Sequence, residues 1–229
     1  MPLFNQAINF EQTKLAYLVS NQTKKPGKLW ISSGIHGDES SVISPLRELV
    51  LAWTDQLPDL VFVPQISQSA FELKTRNNHF GHDLNRMFGS GIKDPELVTT
   101  EQLVKLEGPF DLVVSFHEDI EFDLAYFFDT GEPFYELELK TWQEKLRNGG
   151  IKLLDGLDDL ENLVLAREFI SGYHQEISSP ITGLFECWVV SEKLAKRSLT
   201  IEVPTAATLE QKKLIIDETF RHLILPAFK

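Results

Sequence analysis

Two histidines and one glutamate have the residue types and spacing of a metal site. His36 and Glu39 form a His-x-x-Glu pair after one apolar segment, and His117 follows another. Two imidazoles and a carboxylate suit catalytic zinc, because three protein ligands leave a coordination position open for water. Gly37 between the first two is expected to permit a tight bend. Taken singly, each histidine could as readily be a surface or core residue, so the zinc prediction depends on what accompanies them.

A short polar segment and an earlier arginine add groups that bind anions. The segment is Asp83-Leu84-Asn85-Arg86, and Arg76 precedes it by ten residues. A guanidinium is a planar, permanently charged fork that matches a carboxylate. One arginine could therefore hold a substrate carboxylate and the other a developing oxyanion. The alternative for each is an ordinary solvated surface arginine.

Short apolar strands alternate with amphipathic helices, which predicts an α/β domain with a largely parallel sheet. In such sheets ligands bind at the carboxyl ends of the strands. His36, Glu39, His117 and Glu202 each lie at or just beyond a predicted strand end, so we expect them on one rim. Strands are predicted at 29–33, 60–64, 112–116, 125–128 and 198–203, and helices at 40–55, 95–107, 132–147 and 208–225.

Composition excludes several classes of protein. The chain has 229 residues, a formal net charge of −12 and one cysteine, Cys187. The acidic balance is wrong for a nucleic-acid partner and disfavours an anionic membrane surface. A lone cysteine allows no internal disulfide. The first residues lack a signal peptide, so the cytoplasm is the expected location, although signal-independent export would leave no trace.

The ordered motifs resemble those of the zinc metallocarboxypeptidases of the carboxypeptidase A type. The aspartoacylase and succinylglutamate desuccinylase branch shares the same ligand frame. The resemblance covers residues 34–204 and ends on Ile201-Glu202-Val203-Pro204. It implies a three-layer α/β/α sandwich with a mixed, mostly parallel central sheet of about eight strands. It also implies that residues 1–229 form a single catalytic domain that holds one zinc ion.

The resemblance also implies a role for each matched residue. His36, Glu39 and His117 would hold the zinc ion, and Asp83 would accept the outer ring proton of His36. Asn85 and Arg86 would bind the carboxylate of the substrate's terminal residue, and Arg76 would hold the oxyanion of the scissile carbonyl. Glu202 would be the general base toward water and then the acid toward the leaving amine.

Three further expectations concern the surroundings of the metal. If Trp188 aligns with the family's tryptophan, Glu186 falls near the floor of the specificity pocket, where an acid would select basic terminal residues; the alternative is a solvent-facing Glu186. Tyr173 is the candidate for the tyrosine that covers substrate. The run Glu118-Asp119-Ile120-Glu121 departs from the family pattern. Its carboxylates could bind ligands, a substrate ammonium or a second cation, or form a solvated turn.

The main functional prediction is a zinc carboxypeptidase that hydrolyses the C-terminal peptide bond, with a preference for basic residues. The first alternative is an N-acyl amino acid amidohydrolase, whose relatives usually carry an appended β-rich domain that narrows the cleft. A cell-wall peptide amidase is also considered. The substrate would be a peptide or acyl amino acid with a free carboxylate. A silent binding module is disfavoured because the ligands and the base are all present.

Overall fold

A mixed eight-stranded sheet forms the centre of the protein. The computed structural model describes residues 3–10, 13–20, 25–131, 136–159, 166–176 and 183–229. The strands are β1 Phe4–Phe10, β2 Thr13–Ser20, β3 Lys28–Ser33, β4 Asp59–Val63, β5 Leu112–Asp119, β6 Tyr126–Gly131, β7 Gly156–Leu157, β8 Glu168–Phe169, β9 Tyr173–Glu176 and β10 Arg197–Pro204. Their order in the large sheet is β1-β2-β4-β3-β5-β10-β6-β9, and β7 and β8 form a separate antiparallel pair.

The sheet is parallel where the chemistry is expected. Strands β4, β3, β5 and β10 run parallel to one another, and β9 runs parallel to β6. The pairs β1–β2, β2–β4 and β10–β6 are antiparallel. The predicted mixed, mostly parallel sheet of eight strands is therefore confirmed.

Helices cover both faces of the sheet and make the predicted three layers. They are α1 Ile43–Trp53, α2 Gln68–Leu73, α3 Pro95–Glu107, α4 Glu136–Asn148, α5 Phe185–Ser191 and α6 Leu209–Thr219. Helices α1, α4 and α6 pack on one face in a core that includes Leu46, Trp142 and Ile216. Helices α3 and α5 pack on the other, where Trp30 meets Phe185. The apolar faces of these five helices are thus buried against the sheet, the main source of stability in such layers.

The predicted elements differ from the structure mainly at their ends. Helix α1 begins at Ile43 rather than at residue 40, with Pro45 inside its first turn, where no intrahelical N–H is needed. Of the helix predicted over 132–147, residues 132–135 lie outside the described residues. The closing helix runs to Thr219 and then widens over Phe220–Ile224. The hairpin of β1 and β2 was not predicted.

None of the described helices combines the length and the apolar character needed to cross a membrane.

Candidate metal centre and active-site cleft

Three strand ends bring the predicted site residues to one edge of the sheet. β3 leads into the loop with His36 and Glu39, β5 carries His117, and β10 carries Glu202. Glu202 lies beside His117 in the parallel register of β5 and β10. On its other side it pairs with Tyr126 of β6. Because residues paired across neighbouring strands share a face, the side chains of His117, Glu202 and Tyr126 point to the same side of the sheet.

His36, Glu39 and His117 form a compact buried group. Their ligand atoms lie within 4.8 Å of one another. The Nδ1 atom of His36 is 2.5 Å from Oε1 of Glu39, and the Nδ1 atom of His117 is 3.0 Å from Oε2 of the same carboxylate. Each side chain is nearly inaccessible to solvent. These three residues could hold one metal ion, because the Nδ1 atoms of both histidines and the carboxylate oxygens of Glu39 converge on one point.

The outer ring nitrogen of each histidine contacts a further carboxylate, a different one for each ring. The Nε2 atom of His36 is 3.0 Å from Oδ1 of Asp83, and the Nε2 atom of His117 is 3.2 Å from Oε1 of Glu186. Such outer partners fix the tautomer and the orientation of metal-binding imidazoles. The donor set therefore fits a divalent metal for two reasons. The ligand atoms of the three residues lie close together, and the outer carboxylates fix the orientation of both imidazole rings.

The charges in this group shift one another's pKa values. Burial by itself would lower the pKa of His117, but the charge of Glu39 and the hydrogen bond to Glu186 outweigh it and raise that pKa well above its usual value. Burial would raise the pKa of Glu39, but His117 and His36 hold it well below its usual range. Glu39 is thus a carboxylate in the protein, the form that binds a cation.

Glu202 has a different environment from the other carboxylates. Burial raises its pKa to about 7, the charge of His117 opposes the shift, and Glu39, Asp119 and Glu186 add to it. In the part of the chain that the structure describes, no hydrogen bond engages its carboxylate. Glu202 is therefore a half-buried carboxylate near the metal group, and its oxygens have no hydrogen-bond partner among the described residues.

The predicted anion-binding residues line the same cleft but differ in their partners. Arg76 donates from Nε to Asp83 at 2.8 Å, and its Nη1 lies 3.7 Å from Glu39. Arg86 is exposed and donates to the carbonyl oxygen of Asn85, and it has no carboxylate partner among the described residues. Arg86 therefore has a guanidinium free for a ligand, whereas Arg76 already lies beside the metal group.

Asn85 is buried, and most of its hydrogen-bonding capacity is used within the chain. Its Oδ1 accepts the backbone N–H of Phe185 at 2.7 Å, at the start of α5, and its Nδ2 is 3.4 Å from Glu186. The second hydrogen of its Nδ2 has no partner among the described residues, and Asn85 lines the cleft. The structure thus gives Asn85 a part in attaching α5 to the 3₁₀ turn Leu84–Arg86, besides any contact with a ligand.

Two sequence expectations differ from the structure. Glu186 lines the cleft, but its two carboxylate oxygens face His117 and Asn85, so it is not a free acid at a pocket floor. Tyr173 donates to Asp129 at 3.1 Å and packs against Phe127, and it is not among the residues that line the cleft. A preference for basic residues and a covering role for Tyr173 therefore have no support from these positions.

The acidic run after His117 is neither a solvated turn throughout nor a free cation site. Glu118 is buried and bonded to Lys212 and Ser41. Asp119 accepts the hydroxyl of Tyr126 at 2.6 Å and the backbone N–H of Glu121. Of the three carboxylates, only that of Glu121 is exposed on the rim of the cleft.

The cleft has a volume of about 700 Å³ and contains residues that the sequence analysis missed. Tyr126 lies beside Glu202, and Arg167 lines the wall with its Nε 2.8 Å from Glu176. Phe128 and Thr130 extend the same wall along β6. The strand register of β6 against β10 could have identified Tyr126 once Glu202 was placed. Arg167 comes from a separate segment and has no motif of its own.

Gly37 is required for a reason other than the predicted bend. A Cβ atom there would lie 1.8 Å from the carbonyl oxygen of Ala70 in α2, and the Gly37 N–H donates to the carbonyl oxygen of Thr75 at 2.9 Å. The backbone conformation itself is open to other residues, because Gly37 is not among the residues with positive φ. Close packing of two backbones therefore excludes a side chain.

We expect Gly37→Ala to destabilise the protein by about 1–3 kcal/mol, the usual cost of forcing atoms into filled space. The metal ligands on either side should move with the loop, so zinc affinity should also fall. Urea unfolding and zinc titration measure the two effects, with the exposed neighbour Asp38→Ala as control. Equal stability of Gly37→Ala and wild type would contradict this account.

Comparison with known proteins finds relatives of this fold. Residues 26–124 match the model of the succinylglutamate desuccinylase/aspartoacylase catalytic domain. A "putative metallopeptidase" from Shewanella denitrificans OS217 superposes with a TM-score of 0.73 at 18% identity, covering 99% of this chain and 84% of that chain. Comparison with curated protein sequences gives no significant match.

Two further solved structures represent the two branches of the resemblance. A metallo-carboxypeptidase from Pseudomonas aeruginosa, in complex with (2-guanidinoethylmercapto)succinic acid, gives a TM-score of 0.61 at 19% identity, with coverage of 95% of this chain and 62% of that chain. An aspartoacylase family protein from Mesorhizobium loti gives 0.57 at 16% identity, with coverage of 97% and 65%.

The chain has a carboxypeptidase-like α/β/α fold with a His-Glu-His group at the carboxyl ends of the central strands. Within it, the segment 26–124 is matched by the catalytic domain of the succinylglutamate desuccinylase/aspartoacylase family. The resemblance to these proteins is thereby confirmed.

Proposed function

We propose that the protein is a zinc-dependent hydrolase that cleaves the amide bond next to a terminal free carboxylate, as a carboxypeptidase does. The observation that carries the proposal is the His36–Glu39–His117 group with Glu202 in register beside His117. His36, Glu39 and His117 would hold the metal. A bound zinc ion would supply Lewis-acid chemistry, lowering the pKa of water and polarising a carbonyl oxygen.

Glu202 is the proposed general base. Its unengaged carboxylate accepts a proton from water as the water oxygen attacks the amide carbon, and it passes that proton to the nitrogen as the carbon–nitrogen bond breaks. A pKa of about 7 suits both steps, because proton transfer in each direction is most efficient near the working pH. The products are a carboxylic acid, which releases its proton to the solvent at neutral pH, and an amine.

Arg86 and Arg76 have different proposed roles. One binds the terminal carboxylate of the substrate, and the other stabilises the negative charge that develops on the carbonyl oxygen. Arg86, with no carboxylate partner among the described residues, is free to bind the terminal carboxylate, aided by the remaining amide hydrogen of Asn85. Arg76 lies 3.7 Å from Glu39, so it is suited to stabilise the oxyanion beside the metal. Asp83 holds Arg76 and His36 together, which links the two functions.

An N-acyl amino acid amidohydrolase is the second candidate. The observation that favours it is the family match over residues 26–124, the segment that carries His36, Glu39, Arg76, Arg86 and His117. The same residues would act in the same roles, with a small acyl group in place of the peptide. A cleft of about 700 Å³ can accommodate either substrate.

A substrate panel separates the two candidates. We expect the zinc-loaded protein to release the last residue from a mixture of peptides that differ only in that residue, as identified by mass. N-acetyl and N-succinyl amino acids are tested in parallel, and peptides with an amidated C-terminus are the control for the carboxylate. Cleavage of the acyl amino acids alone would replace the peptidase proposal by the second candidate. Equal cleavage of amidated peptides would contradict the role of Arg86.

A further inference from the structure

A buried ion pair lies directly behind the metal group. Glu118 follows His117 on β5, and Lys212 comes from α6, near the end of the chain. Both residues are 4% exposed. The proposed reaction uses neither of them. A buried pair of charges contributes little net stability compared with apolar residues of the same size. Stability alone therefore does not explain why Glu118 and Lys212 are present.

The carboxylate of Glu118 binds the segment that follows the ligand Glu39. Its Oε2 accepts the backbone N–H groups of Ser41 at 2.7 Å and Val42 at 3.2 Å, and its Oε1 accepts the Ser41 hydroxyl at 2.5 Å. Val42 precedes α1, which has no side-chain cap of its own. The first turn of α1 contains no acidic residue, and Glu118 on β5 therefore supplies the negative charge at the start of this helix.

The same residue contacts the ligand itself. The backbone N–H of Glu118 donates to Oε2 of Glu39 at 3.2 Å, the oxygen that also faces His117. One residue thus joins the strand that carries His117 to the loop that carries His36 and Glu39. Lys212 completes the connection, because its Nζ donates to both Glu118 and the hydroxyl oxygen of Ser41.

We propose that Lys212, acting through Glu118 and Ser41, is a positioning residue that fixes the distance between the metal ligands Glu39 and His117. The inference rests on the metal-binding part of the proposed function and not on the identity of the substrate. Without the Lys212 ammonium, the buried carboxylate has lost its counter-ion and must draw in water or move. Either change displaces the segment after Glu39.

The sign of the effect on zinc separates positioning from simple electrostatics. Loss of a cation near the site makes the site more negative, which by charge alone would strengthen zinc binding. Displacement of the ligands would weaken it, and loss of an outer partner of a metal site typically costs about 10–100-fold in affinity. We expect Lys212→Met to weaken zinc binding by a factor in this range.

The adjacent lysine on the same helix provides a matched control. Lys213 pairs with Glu48 of α1 at 2.7 Å on the surface. Lys213→Met removes the same charge from the same helix, and zinc affinity should stay within about twofold of wild type, as expected for a surface pair. Zinc dissociation constants are measured by competition with a chromophoric chelator, at a temperature where circular dichroism shows every variant folded.

Three further variants keep the test decisive. Glu118→Gln/Lys212→Met removes both buried charges and keeps an acceptor for the N–H groups, so it should recover most of the zinc affinity. Ser41→Ala removes one arm of the network and remains informative if Lys212→Met fails to fold; we expect it to weaken zinc binding severalfold. Lys212→Arg should retain most of the affinity.

Unchanged zinc affinity in folded Lys212→Met or in Ser41→Ala, whatever the loss of thermal stability, would overturn the inference. Wild-type protein that binds zinc but hydrolyses no substrate would count against the proposed function while the affinity series still tests Lys212. Wild-type protein that binds no zinc would overturn both.

Discussion

Replacing Glu202 by glutamine should lower kcat by about 10²–10⁴, the usual contribution of a general acid–base group, with little change in zinc affinity. The amide would keep the size and polarity of the side chain but could no longer accept the proton of water. The carboxylate of Glu202 makes no hydrogen bond in the described part of the chain, so its replacement should leave the fold intact. Glu202 lies beside His117 but is not one of the three residues that could hold the metal, so the effect should fall on catalysis rather than on metal binding.

Steady-state kinetics on the substrate found in the panel measure the loss, with zinc content determined for each variant. Glu121→Gln is the matched control, because Glu121 lies on the rim of the same cleft and is exposed. It should change kcat by less than about twofold, as is usual for surface substitutions. Full activity of Glu202→Gln would show that another group moves the proton.

The parts of the fold that sequence analysis predicted well are those whose residues are buried on both sides. The strand around Leu29–Ser33 and the strand around Leu112–Phe116 are mainly apolar and buried throughout, and both lie in the middle of the sheet. Parallel strands covered by helices have this pattern because neither face meets water. The ends of these two strands carry His36, Glu39 and His117, so the rim of the sheet could be predicted along with them.

The hairpin of β1 and β2 gave a weaker signal. Most of β1 is exposed, and its sequence Phe-Asn-Gln-Ala-Ile-Asn-Phe mixes polar and apolar residues. An edge strand buries little surface, so its residues carry little of the alternation that identifies a strand. It extends the sheet on the side away from the site.

Contacts around the metal group depend on tertiary structure and could not be derived from spacing. Glu186 reaches His117 because α5 begins at Phe185, attached there by Asn85, 100 residues earlier in the chain. Lys212 meets Glu118 across 94 residues. The sequence suggested that Glu186 and Glu118 either bind a substrate or cation or face solvent. The structure shows instead that each is bonded to other parts of the chain.

Replacing the ligand Glu39 by glutamine should weaken zinc binding by more than the roughly 10–100-fold that an outer partner costs. Glu39 is the only carboxylate of the described His36–Glu39–His117 group, and its two oxygens face both histidines. A neutral amide is a poor ligand for zinc and would also leave two buried imidazoles without a shared anion. Hydrolysis should be lost with the metal.

The neighbouring Asp38 separates ligation from local charge. Asp38 is exposed in the same cleft, so Asp38→Asn removes the same charge one residue away and should leave zinc affinity within about twofold, as expected for screened surface charges. Zinc at about 1,000 times its dissociation constant should stabilise wild type by about 4 kcal/mol toward unfolding, and the same concentration should stabilise Glu39→Gln by less than about 1.5 kcal/mol. Chemical unfolding with zinc and with a chelator measures this difference. A Glu39→Gln protein stabilised as much as wild type would place the metal on other residues, and the catalytic arrangement around Glu202 would then need a different electrophile.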